Sequence, residues 1–267
     1  SMFQTSTPVS GEGFENRAEE LSVLVGAMER LTAGSPQWVA IIGPRKIGKT
    51  SLILEAGRRT HGGSPQVVMM DVQEWAPLSL EFFRRLALRV VDAAFSRDLG
   101  ESLERASDHG DAYRALLQHA RRFSGLPAAL RVELLELADG ESTPARIRSW
   151  LDLPEQLAGA MDMRLVIAID EFQEIASLTS ARKGLDILSV MRSIWQKHQR
   201  IAYFVSGSAR TMLLNLVNAE QSPFFHHFTI MELGPFGREA AINLLRRHSP
   251  PEQAIPCELA EQAVATI

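Results

Sequence analysis

Only one cysteine occurs in the 267 residues, Cys257, so no disulfide can form within the chain. A reducing compartment, the cytoplasm, is the simplest expectation. Long apolar runs are lacking as well. None approaches the ~20 residues of a membrane-spanning helix, so no membrane partner is expected. Neither charge sign dominates: 28 Lys and Arg stand against 32 Asp and Glu, a formal net charge of −4. That balance excludes a surface built throughout to hold nucleic acid, though not a local basic patch. Internal repeats and low-complexity tracts are missing. What remains, 45% hydrophobic and 22% charged residues, is ordinary for a globular chain with one large core, or a core and a small lid.

The apolar runs that do occur, at 39–42, 165–169 and 201–205, are short and end in glycine or charge, as buried strands do. Residues 1–13 read as a flexible arm beginning with a cloning remnant, Ser1-Met2. Asn16, three residues before Glu19, is expected to cap a first helix with Leu21, Leu24, Met28 and Leu31 as its apolar stripe. Strands are predicted at 38–42, 66–71, 164–169, 201–205 and 229–233. Helices are predicted at 48–59, 185–197 and 78–95, the last with Phe82, Phe83, Leu86, Val90 and Phe95 inward. This alternation implies an α/β fold with a parallel sheet covered on both faces. A helical insertion is expected at about 97–161, including a helix capped by Thr143 with Pro144 at its first position. The core is expected to end near residue 236, and 237–267 to begin a helical lid, truncated because its apolar pattern runs to the last residue.

The segment Gly43-Pro44-Arg45-Lys46-Ile47-Gly48-Lys49-Thr50 matches the phosphate-loop pattern G-x-x-x-x-G-K-[ST], between a strand pattern and a helix pattern. Each position has a chemical reason. The glycines let successive N–H groups converge on phosphate oxygens, and the following helix directs its positive end at the same anion. Lys49 is expected at the β- and γ-phosphates of ATP, and Thr50 at a magnesium ion. The run Leu165-Val166-Ile167-Ala168-Ile169-Asp170-Glu171 places Asp170 at a strand's carboxyl end, suited to orienting magnesium. Glu171 is suited to align and deprotonate water, which favours hydrolysis over transfer to another substrate. The fourth strand ends in Ser206-Gly207-Ser208. A hydroxyl there would face the γ-phosphate or the water, and alternation along a strand does not choose between Ser206 and Ser208.

These residues resemble the archaeal-type ATPase family, in the STAND and AAA+ branch of P-loop NTPases. The resemblance rests on Phe14-x-Asn16-Arg17, the segment from Gly43 through Thr50 with Ser51 after it, and Ile169-Asp170-Glu171-Phe172-Gln173. It continues through Ser206-Gly207-Ser208, Ser222-Pro223-Phe224-Phe225 and Leu233-Gly234-Pro235-Phe236. It implies a three-layer sandwich with sheet order 5-1-4-3-2, and the strand ending at Ser208 between the Gly43 and Asp170 strands. Ser208 thereby joins Lys49 and Glu171 among the catalytic residues. The resemblance also puts Phe14, Asn16 and Arg17 near the adenine, with Pro235 closing over it. Members of this family often carry an arginine after the Ser-Pro-aromatic segment. Here His226 and His227 stand there, so either another arginine serves, with Arg210 and Arg200 as candidates, or turnover is slow.

Three functions follow. One is an ATP-hydrolysing switch coupling nucleotide state to lid closure, with a homo-oligomer or protein partner as output. The second is a DNA-associated AAA+ loader, for which Arg84, Arg85 and Arg89, read as a solvated face, are the nearest basic patch. The third is a nucleotide-binding scaffold that hydrolyses nothing.

Overall fold

The computed structural model describes residues 17–60, 64–75, 79–95, 123–139, 142–177 and 186–234. The strands β1 (Trp38–Ile42), β2 (Gln66–Asp71), β3 (Leu165–Asp170), β4 (Ile201–Gly207) and β5 (Phe228–Glu232) form one sheet of order β2-β3-β4-β1-β5. All four pairings are parallel. This is the expected order 5-1-4-3-2 read from its other edge.

The central strands β1 and β4 are buried throughout, and β3 is buried except at Asp170. They alternate between two cores, as side chains two apart on a strand must. Val39, Ile41, Val166, Ala168, Ala202 and Phe204 face one core. Helices α1 (Ala18–Thr32) and α2 (Lys49–Arg59) cover it. Leu21, Leu24, Met28 and Leu31 supply the α1 stripe, each worth about 1.5–3 kcal/mol when removed from water. Trp38, Ala40, Ile42, Ile167, Ile169, Tyr203 and Val205 face the other core. There lie α3 (Glu81–Phe95), α4 (Ala128–Asp139), α5 (Pro144–Ala160), α6 (Ile187–Trp195) and α7 (Arg210–Asn218). The described part of the insertion is thus helical. Thr143 flanks α5 and Pro144 opens it, where a missing N–H removes no helical bond.

Five details depart from the sequence expectations. Thr143 flanks α5 without a side-chain capping bond. Helix α1 begins at Ala18 with Arg17 as its flanking residue, and the expected cap, Asn16, precedes that residue. Asn16 lies outside the described residues, as do the arm, the first part of the insertion and the lid. Helix α7 was not expected, because its short stripe, Leu213 and Val217, buries only two side chains. A 3-10 turn, Phe172–Ile175, follows β3 directly. Most tellingly, Arg84 is not on a solvated face. It is 5% exposed, and its guanidinium donates to the carbonyls of Leu137 at 2.8 Å and Ala138 at 3.3 Å. It satisfies acceptors that the end of α4 leaves unpaired. Arg89 likewise donates to Met69 O at 2.8 Å.

Candidate functional site

Because the strands are all parallel, their carboxyl ends share one edge, the edge where such sheets take ligands. The loop from Gly43 to Gly48 leaves β1 there and enters α2. Gly48, at φ 97°, adopts the left-handed conformation that glycine accommodates without strain. A methyl group on Gly43 would come within 2.9 Å of the Leu233 carbonyl oxygen. Lys46, at φ 63°, is also left-handed, and this alternation of hand is the backbone pattern of anion-binding concavities. Pro44, Arg45 and Lys46 are exposed, Ile47 packs against the α1–α2 core, and Ser51 is buried. Lys49 is buried, and its Nζ donates to the carbonyls of Gly43 at 2.9 Å and Pro44 at 3.1 Å. The ammonium therefore lies on its own loop, beside the backbone that would wrap a phosphate.

The acidic half stands beside it. Asp170 Oδ1 accepts from Ser206 Oγ at 2.6 Å and from the Glu171 N–H at 3.0 Å. Its Oδ2 is 3.5 Å from Thr50 Oγ1. Glu171 Oε2 accepts from Gln173 Nε2 at 2.6 Å, and from Ser208 Oγ at 2.9 Å and N at 3.3 Å. Arg45 Nε lies 3.8 Å from Glu171 Oε1. Burial would raise the Glu171 carboxyl, but the bonds from Gln173 and Ser208 and the charge of Lys49 outweigh it, and the group is held below its ordinary pKa. Asp71, paired with Asp170 across the β2–β3 register, moves the other way. Burial raises it, and the charges of Asp170 and Glu171 add to that despite a bond from the Gln73 N–H. Among the described residues, no three His, Cys, Asp or Glu converge to hold a metal alone. The donor set is one hydroxyl and one carboxylate, which suits magnesium completing its shell with phosphate oxygens and water.

Both serines reach the acids, but different ones: Ser206 meets Asp170 and Ser208 meets Glu171. Arg17 is 7% exposed and donates to Gly234 O at 2.6 Å, tying the start of α1 to the chain leading to Pro235. Phe14, Asn16 and Pro235 lie outside the described residues. Of the candidate arginines, Arg210 is exposed and engaged by Glu232 at 2.8 Å. Arg200 is remote from this site, since it precedes β4 at the opposite edge and pairs with Asp162 at 3.3 Å. His227 packs against Trp38 with ring centroids 5.2 Å apart and accepts from Arg192 Nε at 3.2 Å. Burial and then the Arg192 charge lower its pKa, and the ring serves as a tertiary contact between β1 and α6. Two contributors escaped the sequence reading: Asp71, signalled only by an acid at a strand's carboxyl end, and Gln173, which carried no signal beyond its place in the motif.

A five-stranded parallel sheet of this order, with a phosphate-type loop after β1 and an acid ending β3, defines the P-loop NTPase fold. The chain belongs to the AAA ATPase domain family, whose model matches residues 14–194. Its structure is similar to a Walker-type ATPase of Pyrococcus abyssi, with a TM-score of 0.62 and 16% identity, over 99% of this chain and 67% of that one. It is also similar to the Aeropyrum pernix ORC1 protein solved in complex with DNA, with a TM-score of 0.50 and 14% identity, over 91% of this chain and 50% of that one. At these identities the likeness is one of fold. The chain spans about two thirds of the first relative's length and half of the second's. Among curated proteins no sequence match is found. The family makes this an ATP-binding AAA+ protein. No helix of the described residues is long and apolar enough to cross a membrane.

Proposed function

We propose that the chain is a magnesium-dependent ATP hydrolase acting as a cytoplasmic switch. The observation that carries this reading is the Glu171 carboxylate, buried one residue beyond Asp170 on the edge that also presents Lys49 and Thr50. Hydrolysis needs a base that aligns and deprotonates water, whereas transfer to another substrate has little use for this second acid. The residues present fit ATP with magnesium. The backbone from Gly43 to Ser51, shaped by Pro44 and Ile47 and flanked by Arg45 and Lys46, would hold the phosphates. Lys49 would leave its loop carbonyls for the β- and γ-phosphates, and Thr50 and Asp170 would hold the metal. When bound, magnesium lowers the charge repulsion around the phosphoryl group.

Within the chain, Ser208 ties the end of β4 to Glu171, so a change at the γ-phosphate would be felt along β4. Arg17, through Gly234, supports an adenine side shared with Phe14, Asn16 and Pro235. With Arg200 remote and Arg210 engaged, Arg45 is the arginine positioned within the chain to meet charge developing beside Glu171. The output would be closure of a lid at 237–267, assembly with further copies, or contact with a protein partner. Net charge and the carbonyl bonds of Arg84 and Arg89 argue against the DNA loader.

Glu171→Gln is the test. It should keep ATP affinity within about threefold and slow phosphate release by roughly 10²–10⁴. If the wild-type chain releases no phosphate either, the scaffold reading replaces this one. DNA binding that weakens steeply with salt would restore the loader.

A further inference from the structure

Gln173 sits in the turn Phe172–Ile175, 2% exposed, and donates through Nε2 to Glu171 Oε2 at 2.6 Å. That partner decides which way round the amide lies, because an amide oxygen facing a carboxylate would be repelled. The consequence falls on its other atom. Oε1 is buried without a hydrogen-bond partner among the described residues, and it lies over Gly207, where a methyl group would run into it. Buried polar atoms are nearly always paired, and one left unpaired opposes folding. An apolar side chain of the same length would remove that penalty, and Glu171 would then keep only the two donors of Ser208 on this oxygen. Glu171, two residues away, carries a second disfavoured feature, a left-handed backbone at φ 51°. Both features serve one outcome, a defined direction for the Glu171 carboxylate.

The spacing Ser206-Gly207-Ser208 then makes sense as a unit. Ser206 lies on β4 and Ser208 just past its end, and the two serines bond Asp170 and Glu171. The position between them points to the opposite face, toward Gln173 and Leu213. We infer that Gln173 is a positioning residue for Glu171, and that residue 207 is glycine so that the amide can reach that carboxylate. The inference rests on Glu171 being the base of the proposed hydrolysis.

The test compares wild type with Gln173→Met, Gly207→Ala and the double variant. The measurements are thermal melting, ATP affinity by calorimetry, steady-state phosphate release, and affinity for ADP with aluminium fluoride, a mimic of the phosphoryl group in transfer. Gln173→Met removes both an unpaired acceptor and a donor, so it should melt near the wild-type temperature and keep ATP affinity within about twofold. It should lower kcat about ten- to a hundredfold at unchanged KM. Its preference for ADP–aluminium fluoride over ADP should shrink. Gly207→Ala should lower kcat in the same way, and the double variant should be little worse than either single one. Wild-type kcat in Gln173→Met, a fall in kcat that merely tracks a fall in melting temperature, or independent losses in the double variant would overturn the inference and leave the hydrolase reading standing. A wild type that releases no phosphate overturns both.

Discussion

The two ends of the sheet are built from the same strands and differ in almost everything else. Around the first residues of β1 and β5, Trp38, Trp195, Tyr203, Phe224 and Phe228 pack ring against ring. Trp195 stacks on Tyr203 at 3.7 Å, and Trp38 meets both edge-on at 5.9 and 5.6 Å. Polar groups at this end bond one another: His198 lies 2.7 Å from the Tyr203 hydroxyl and 3.3 Å from Asp152. At the carboxyl ends stand three acids, a buried lysine and a buried amide oxygen without a partner among the described residues. Two of the four non-glycine residues with positive φ among the described residues, Lys46 and Glu171, are also there. Backbone strain persists only where its surroundings over-determine it, and the aromatic end supplies that support. Phe172, which follows Glu171, is the link, packing on Trp195 at 6.2 Å and Phe224 at 5.8 Å.

The comparison breaks most visibly at its supporting end. Trp195→Ala should cost about 3–5 kcal/mol of stability, read as a lowered denaturant midpoint. Below the new transition it should still bind ATP. Loss of ATP binding in the folded variant would mean that the two ends are not separable. Lys49→Ala is the converse, expected to weaken ATP binding by at least about a hundredfold, roughly 2.7 kcal/mol, while the melting temperature barely moves. Unchanged affinity in calorimetry would remove the loop from the binding site.

The smallest effect lies in the pH dependence, where the ends have opposite signs. The bond from His198, followed by that from Gln156, holds the Asp152 carboxyl below its ordinary pKa against burial. Its contribution to stability is complete above the usual carboxylate value of about 3.9 and fades as pH falls through the lowered folded value. Asp152→Asn should flatten that acid limb by about 0.5 kcal/mol or less, since the side chain is 45% exposed. Asp71 has a raised pKa, so ionising it in the folded chain opposes stability as pH climbs through the usual carboxylate range. Asp71→Asn should therefore slightly raise stability at neutral pH. Denaturant midpoints measured between pH 3 and pH 7 check both signs.

How much was legible follows from how local each signal is. The five strands and the helices flanking the Gly43 loop were readable because buried strands are short apolar runs and a phosphate loop is contiguous. Helix α7 was not, because two buried side chains make a weak period. Alternation alone could not choose between Ser206 and Ser208, since they stand two residues apart, and only tertiary packing brings Ser206 to Asp170 and Ser208, just past β4, to Glu171. Arg84 was misread as solvated because a charged helix face looks the same whether or not carbonyls from α4 approach it.

The sequence by itself determined the phosphate loop, the Asp170-Glu171 pair and the parallel α/β class, since all three are written in spacings of a few residues. Only the tertiary structure decided which groups hold Glu171, why residue 207 is glycine, that Arg200 is remote, and that His227 belongs to the aromatic end. Apart from the local bond between Gln173 and Glu171, each of those depends on residues far apart in the chain meeting at one place, and no local spacing encodes that meeting.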